Sequence, residues 1–254
     1  MKPYKILFED PFILCLDKSP GVVVSQTETQ DTKTIADYMK ADFGIDLERG
    51  GVVHRLDKDT SGILIIAKTA QTLIELKRQF KERLVKKEYK CLVHGFLKEK
   101  GRIEGAIERN PGDREKFIVD LKGEKTAITD YSPFQNLSLC NQKIEEIFPD
   151  YSKIQLKKLS NLQYTDYTLL SCFPLTGRTH QIRVHLKYIG HPIVGDSKYA
   201  GRKTARLDKR WCPRQFLHAT KIEFTHPQSG KSIVFRSELP DDLEKALEFL
   251  ESRE

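Results

Sequence analysis

Long apolar segments and paired cysteines are both absent from this sequence of 254 residues. No hydrophobic run approaches the roughly 18 residues that a membrane-spanning helix needs, and the N-terminus lacks the features of a secretory or transit peptide. The five cysteines are odd in number and form no CxxC pair, which argues against a disulfide framework and against a zinc knuckle. We therefore predict a cytoplasmic protein with no membrane anchor and no metal site.

An excess of acidic residues is also missing. The 43 Lys and Arg residues outnumber the 36 Asp and Glu residues, which gives a formal net charge of +7. This balance favours a polyanionic partner, and nucleic acid before membrane. The chain is long enough to bury a substantial core in one large domain or two small ones.

The densest polar segment, Gly50 to Gly62, directly precedes an apolar run, Ile63 to Ala67, that reads as a buried strand. The segment contains two carboxylates, Asp57 and Asp59, and two cations, Arg55 and Lys58. Such charges commonly form a solvated turn with local ion pairs.

Two functional interpretations of the same segment remain open. A carboxylate that a nearby Arg keeps ionised is available as a nucleophile or a base. Asp57 and Asp59 could also form a glycosidase pair, but such a pair needs a separation of about 5–10 Å, which sequence spacing does not establish.

A second polar cluster, Gly177 to His185, follows a predicted strand, Tyr167 to Phe173. We expect Thr179 to cap a helix whose core-facing residues are Ile182, Leu186 and Ile189. His180 and His185 are five residues apart and do not share a helical face as an i, i+4 metal pair would. We interpret both histidines as hydrogen-bonded structural residues.

The remaining pattern mixes short helices and strands. We predict strands over Val22 to Val24, over Glu88 to Gly95 and, separated by turns, within Gly101 to Thr129. The predicted helices are Thr32 to Phe43, capped by Thr34 or Thr32, an amphipathic basic helix that opens with the capping box Thr72 to Glu75, and a C-terminal helix after Pro240 that carries Leu243, Leu247 and Leu250.

Several motifs, taken in their order along the chain, resemble those of the RluA-type RNA pseudouridine synthase family. The resemblance covers about residues 4 to 240. The matching segments are His54 to Gly62 (HRLDKDTSG), Lys87 to Tyr89, Gly123 to Tyr131 with Glu124 inserted, Gly177 to His185 (GRTHQIRVH), His191 to Tyr199, Leu217 to Ala219 and Phe224 to Pro227. The family's first strand is matched from about Tyr4, so we expect no extra N-terminal RNA-binding module.

The resemblance implies an α+β pseudouridine synthase fold. We expect a central, mixed and mostly antiparallel sheet, flanked by helices and loops, with the RNA cleft along the sheet. Residues 1–254 would form a single catalytic domain. Residues 136–166 are more than the family core needs, and we predict a surface loop or hairpin there.

The implied activity is isomerisation of uridine to pseudouridine in structured RNA, either rRNA or tRNA. The bond from C1′ to N1 breaks, the base turns, and C5 bonds to C1′, with no cofactor and no metal. We expect a monomer with no membrane partner.

The resemblance also implies roles for individual residues. Asp57 would be the catalytic carboxylate, Arg183 its ion-pair partner, and Tyr89 the ring that stacks on the flipped base. Arg55 would fill the space that the base leaves. The substrate-binding residues would be His54, Arg55, Arg178 and His180.

Two alternatives from other classes stay open. One is a catalytically silent RNA-binding protein on the same fold. The other is a glycosidase-like hydrolase using Asp57 and Asp59, which would release free base, whereas an isomerase leaves the mass of the RNA unchanged.

Overall fold

The structure is a computed structural model that describes residues 2–26, 32–161 and 164–253. These residues form two compact units. Unit 1 contains the described residues up to Glu88 together with 218–238, and unit 2 contains 89–217 together with the described residues from Leu239 onward. The single catalytic domain over residues 1–254 stays a prediction.

Unit 1 is built on a mixed sheet with helices. Its elements are β1 (Tyr4–Glu9), β2 (Ile13–Lys18), α1 (Ile35–Phe43), a 3-10 helix (Glu48–Gly51), β3 (Ser61–Ala67), α2 (Ala70–Lys81), the start of β4 (Lys86–His94), most of β9 (Leu217–Thr225) and β10 (Ser232–Arg236). Antiparallel pairs join β1 to β2, β2 to β3 and β9 to β10, whereas β3 and β9 are parallel. The buried strand predicted at Ile63 to Ala67 is confirmed, and its side chains pack against Leu73 and Leu76 of α2.

The N-cap residues of the two α-helices in unit 1 agree with the prediction for α1 and differ from it for α2. Thr34 caps α1, and its side chain and that of Asp37 form a reciprocal capping box. The capping box predicted at Thr72 is wrong. Thr69 is the N-cap of α2 and its hydroxyl accepts the N–H of Thr72, which itself lies buried inside the helix.

The strand predicted over Val22 to Val24 does not form. The carbonyls of Val23 and Val24 instead accept the N–H groups of Ile35 and Ala36, each at 3.0 Å. The run therefore binds the first turn of α1, whose N–H groups have no partner inside the helix.

Unit 2 contains the rest of β4 and a larger set of elements. These are β5 (Gly101–Asn110), β6 (Asp113–Asp120), β7 (Thr126–Leu139), α3 (Asn141–Ile147), α4 (Lys153–Asn161), β8 (Asp166–Pro174), α5 (Gln181–Tyr188), α6 (Arg202–Asp208), α7 (Asp241–Leu247) and β11 (Leu250–Ser252). Five strands pair antiparallel in the order β4-β8-β7-β5-β6, and β11 pairs with β7. The strands predicted at Glu88 to Gly95, within Gly101 to Thr129 and at Tyr167 to Phe173 are confirmed.

Residues 136–166 differ from the predicted loop or hairpin. They extend β7, form α3 and α4, and begin β8. Phe148 and Leu159 are 1% and 4% exposed, so the segment contributes its own buried apolar groups. The C-terminal helix is also shorter than predicted. It ends at Leu247, and Leu250 lies in β11, where its backbone pairs with Leu139 of β7.

Both units combine helices with mostly antiparallel strands, and the α+β fold class is confirmed. All five cysteines are free thiols, and four of them are buried. Within the described part of the chain, no helix is both long and apolar enough to cross a membrane.

Gly62 is placed where β3 comes closest to β9. Its φ is +110°, and a Cβ added there would lie 2.4 Å from the carbonyl oxygen of Ala219. We expect Gly62→Ala to lower the free energy of unfolding by about 1–3 kcal/mol, because backbone must move to admit the methyl group. Urea denaturation measures the change. Gly112→Ala is the control, since its nearest neighbour is at an ordinary 3.5 Å, and an equal loss in both variants would contradict this explanation.

Candidate active site

The loop that carries Asp57 lies between the 3-10 helix and β3 in unit 1. Leu56 is 3% exposed and fixes the loop to the core, while its neighbours Arg55 and Asp57 are exposed and half-buried. The N–H of Thr60 donates to the carbonyl of Asp57 at 3.1 Å. The backbone on either side of Asp57 is therefore fixed by packing and by a hydrogen bond.

Lys18 supports the same loop from below. It is fully buried, and its Nζ donates to the carbonyls of Ser19, Val22 and Lys58 at 2.8, 3.1 and 3.0 Å. The Lys58 carbonyl also accepts the N–H of Gly21 at 2.9 Å. A buried ammonium is costly without such acceptors, so this arrangement indicates that Lys18 positions the residue next to Asp57. Sequence analysis missed this role, although a lysine ending an apolar strand was visible.

We expect Lys18→Met to loosen this loop, because three carbonyls lose a charged donor and the side-chain length stays similar. The expected result is faster hydrogen exchange at the Gly21 amide and a loss of about 1–3 kcal/mol in unfolding free energy. Lys5→Met is the matched control, since Lys5 is exposed on the neighbouring strand β1. Unchanged exchange at Gly21 in Lys18→Met would contradict the positioning role.

His54 joins the loop to β3 and α2. Its Nε2 accepts the backbone N–H of Ile65 at 3.0 Å, and its ring stacks on Phe80 at a centroid distance of 4.9 Å. Burial, and then the charge of Lys87, lower the pKa of His54 to about 3. The imidazole is thus neutral near pH 7, and the hydrogen bond assigns its proton to Nδ1. Substrate binding by His54 stays a prediction.

The second polar cluster begins α5 in unit 2. The predicted Thr179 cap is wrong, because His180 takes the N-cap position with φ 55° and no side chain caps the helix. Gln181 holds the preceding turn, since its Oε1 accepts the hydroxyl of Thr176 and the N–H of Arg178 at 2.7 and 3.0 Å. The Arg178 side chain itself is exposed. The core-facing Ile182 and Leu186 are buried, as predicted.

Arg183 is a buried and rigidly held cation. It is 5% exposed, and its Nε and Nη2 donate to the two carboxylate oxygens of Asp196 at 2.7 and 2.9 Å. Asp196 is fully buried and also accepts the N–H groups of Lys198 and Tyr199. Such a bidentate pair sets both the position and the plane of the guanidinium. Asp196 lies in a motif that sequence analysis identified without giving this residue a role.

Tyr199 brings two of the predicted site residues together. Its hydroxyl is 2.8 Å from Nδ1 of His180, and its ring lies 5.1 Å below the guanidinium of Arg183. Both contacts lie within unit 2, so His180 and Arg183 share one support.

Both histidines have the hydrogen-bond partners predicted for them, and substrate binding by His180 stays a prediction. His185 is fully buried with Nδ1 3.0 Å from the hydroxyl of Thr129, and burial lowers its pKa to about 4. His180 is bound to Tyr199, as described. Among the described residues, no three His, Cys, Asp or Glu side chains are grouped as a metal site would require.

Tyr89 lies on β4 in unit 2, 9% exposed and directly opposite Cys172 of β8. Its stacking on a base stays a prediction, as does the ion pair between Asp57 of unit 1 and Arg183 of unit 2. Arg55 is exposed, and its space-filling role stays a prediction.

The model of a protein family described as RNA pseudouridylate synthase matches residues 13–188 of this chain. The chain belongs to this family. The family resemblance inferred from the motifs is thus confirmed. A protein of Nitrosomonas europaea named ribosomal large subunit pseudouridine synthase D is 38% identical over 253 residues, which cover 97% of this chain and 65% of that protein. The uncharacterized RNA pseudouridine synthase YlyB of Bacillus subtilis is 34% identical, over 96% of this chain and 72% of that protein.

Two solved structures share the fold. Human RNA pseudouridylate synthase domain containing 1 superposes with a TM-score of 0.72 at 23% identity, covering all of this chain and 92% of the human chain. Human RNA pseudouridylate synthase domain containing 4 gives a TM-score of 0.67 at 20% identity, covering 97% and 93%. The predicted pseudouridine synthase fold is therefore confirmed, and the chain spans about two thirds of the length of the Nitrosomonas relative.

Proposed function

We propose that this protein is an RNA pseudouridine synthase, an isomerase that converts specific uridines of structured RNA into pseudouridine. The observation that carries the proposal is the buried Arg183, held in a fixed plane by Asp196 inside a motif of this family. A fixed cation of this kind is what a catalytic carboxylate needs to stay ionised and oriented. Membership of the family supports the same conclusion.

The reaction begins when the target uridine leaves its stack, which costs a few kcal/mol. Arg55 occupies the vacated space, and Tyr89 stacks on the extruded base, which contributes about 1–3 kcal/mol. His54, Arg178 and His180 complete the binding site.

Asp57 then cleaves the bond between C1′ and N1, either by attacking C1′ or by removing the C2′ proton. Arg183 pairs with Asp57 during this step. The uracil turns and C5 bonds to C1′. On the first route this breaks the bond between Asp57 and C1′, and on the second the proton returns to C2′. The proton on C5 is then lost while N1 gains one. Substrate and product have the same atoms, so the RNA does not change mass.

Ribosomal RNA is the first substrate to test and transfer RNA the second. The relatives from Nitrosomonas europaea and Neisseria meningitidis carry the name ribosomal large subunit pseudouridine synthase D, and this supports rRNA as the substrate here. We also propose a cytoplasmic location, which the five free thiols support, and a monomeric state, which sedimentation can test.

The test uses the pure protein and total RNA from a strain that lacks its gene. Pseudouridine is mapped by chemical sequencing before and after incubation, and free uracil is measured in the same sample. New marks at one or a few uridines, without released uracil, are the expected result. Released uracil would favour the hydrolase, and tight RNA binding with no new mark would favour the silent RNA-binding protein.

A further inference from the structure

Two helices of unit 2 carry exposed basic side chains without acidic neighbours on the same helix surface. Residues 151–161, which include α4, have no Asp or Glu, and residues 202–210, which include α6, have only Asp208, which is fully buried. The basic surface is defined as the seven exposed side chains Lys153, Lys157, Lys158, Arg202, Lys203, Arg206 and Lys209.

Carboxylates do not neutralise this surface. None of its seven side chains forms an ion pair within the described residues. The basic face of α2 in unit 1 is different, because Lys77 binds Glu48 and Arg78 binds both Glu75 and Glu82. The basic surface thus keeps its positive charge available to a partner, whereas much of the charge on α2 is compensated.

Side-chain contacts connect the segments that flank α4 to the end of α6. Just before α4, Asp150 binds Arg210, with Nη2 and Oδ2 2.9 Å apart, and the Arg210 guanidinium lies about 5 Å from the rings of Phe148 and Tyr151. Just after α4, Tyr164 donates its hydroxyl to Asp208 at 2.8 Å. The segments on either side of α4 are therefore joined to the end of α6.

The chemistry of this surface fits phosphate groups better than bases. Unpaired bases are usually bound by exposed aromatic rings. Beside these helices, Phe148, Tyr164 and Trp211 are at most 7% exposed, and the half-buried Tyr151 packs against Arg210. Lys and Arg without aromatic partners bind the backbone of a duplex by charge and shape, independent of sequence.

We propose that the basic surface binds the phosphate backbone of a double-helical segment of the substrate RNA. This inference rests on the proposed function for the identity of the RNA. Helix α4, in the segment for which the sequence predicted a surface loop or hairpin, then has a role in holding the RNA rather than in the chemistry.

The test compares two triple variants with a control of equal charge. The variants are Lys153→Gln/Lys157→Gln/Lys158→Gln and Arg202→Gln/Lys203→Gln/Arg206→Gln. The control is Lys5→Gln/Lys231→Gln/Lys245→Gln, three cations that are likewise exposed and outside α4 and α6. Fluorescence anisotropy measures the Kd for an RNA duplex of about two helical turns and for a single strand of the same length, between about 50 and 200 mM KCl.

Each triple variant is expected to bind the duplex about tenfold more weakly at the lower salt and to reduce the salt slope by about 2. The control is expected to change the Kd for the duplex by less than about twofold. The two triple variants are expected to change the Kd for the single strand by less than about twofold as well. An equal loss in the control, an equal loss with the single strand, or no loss with the duplex would overturn the inference.

The activity assay separates this inference from the proposed function. If wild type forms pseudouridine and the triple variants bind the duplex as the control does, only the basic surface is wrong. If wild type forms no pseudouridine in any RNA, the proposed function fails, and the duplex affinities still decide whether the surface binds RNA.

Discussion

Asp57→Asn is expected to abolish pseudouridine formation while the protein folds and binds RNA as the wild type does. The amide has nearly the size of the carboxylate, but it can neither attack C1′ nor remove a proton from C2′. The loop should keep its shape, because the burial of Leu56 and the hydrogen bond from the Thr60 N–H to the Asp57 carbonyl both remain in the variant. We expect the single-turnover rate on the mapped substrate to fall by about 10⁴-fold or more.

Asp59→Asn provides the matched control for this substitution. Asp59 is exposed, lies two residues further along the same loop, and has no role in the proposed chemistry. The control should retain most of its activity, and both variants should match wild type in Kd for RNA and in urea denaturation. Even a few per cent of activity in Asp57→Asn would move the chemistry to another residue, and a comparable loss in Asp59→Asn would revive the paired-carboxylate hydrolase.

Asp196→Asn is expected to lower kcat by about 100-fold with little change in KM, because Arg183 loses the carboxylate that orients it. Asp196 does not touch the substrate in this mechanism and acts through Arg183 as a positioning residue. Replacing a fully buried partner of a charge also costs stability, about 3 kcal/mol. Steady-state kinetics and urea denaturation are measured on the same preparation.

A second Arg–Asp pair in unit 2 provides a control that distinguishes a positioning role of Asp196 from a general loss of stability. Nε and Nη2 of Arg214 donate to the carboxylate of Asp242 at 2.6 and 3.1 Å, and the arginine is 9% exposed. Asp242→Asn should lower the free energy of unfolding. At urea concentrations below the unfolding midpoint, its kcat should equal that of the wild type. Equal losses of kcat in Asp196→Asn and Asp242→Asn would show that Asp196 has only a structural role.

Several buried polar groups explain why substitutions at these positions are expected to have large effects. Lys18, Gln181 and Asp196 each satisfy backbone or side-chain partners that belong to other elements or turns. A substitution that removes one partner leaves the other buried without it, which costs more than an exposed contact does. Their effects should therefore exceed those of exposed charges such as Asp59.

Local sequence signals located most of the elements. The apolar run of β3 and the cap of α1 depend on residues that are neighbours in the chain. The strand is as predicted, and Thr34, one of the two predicted caps, is the N-cap. The motifs around Asp57 and Arg183 are contiguous too, so the family and the candidate site could be identified without a structure.

The predicted helix ends were wrong where more than one residue could begin or end the helix. Thr69 and Thr72 can each cap a helix, and so can Thr179 in a segment where His180 takes the cap position in a left-handed conformation. Leu250 continues the helical spacing of α7 but pairs with β7 instead. The pairing of Leu250 depends on Leu139, which is far away in the sequence, and helical spacing does not reveal it.

The sequence alone determined the family, the α+β class and the residues that carry the proposed chemistry, because these are written in contiguous motifs. Only the tertiary structure decided how those residues are supported. Lys18 meets Lys58 across 40 positions, and Arg183 meets Asp196 across 13. Residues 136–166 include α3 and α4, and the segments beside α4 contact Arg210 and Asp208. Such contacts form when the whole chain buries its polar groups together, and no local pattern records them.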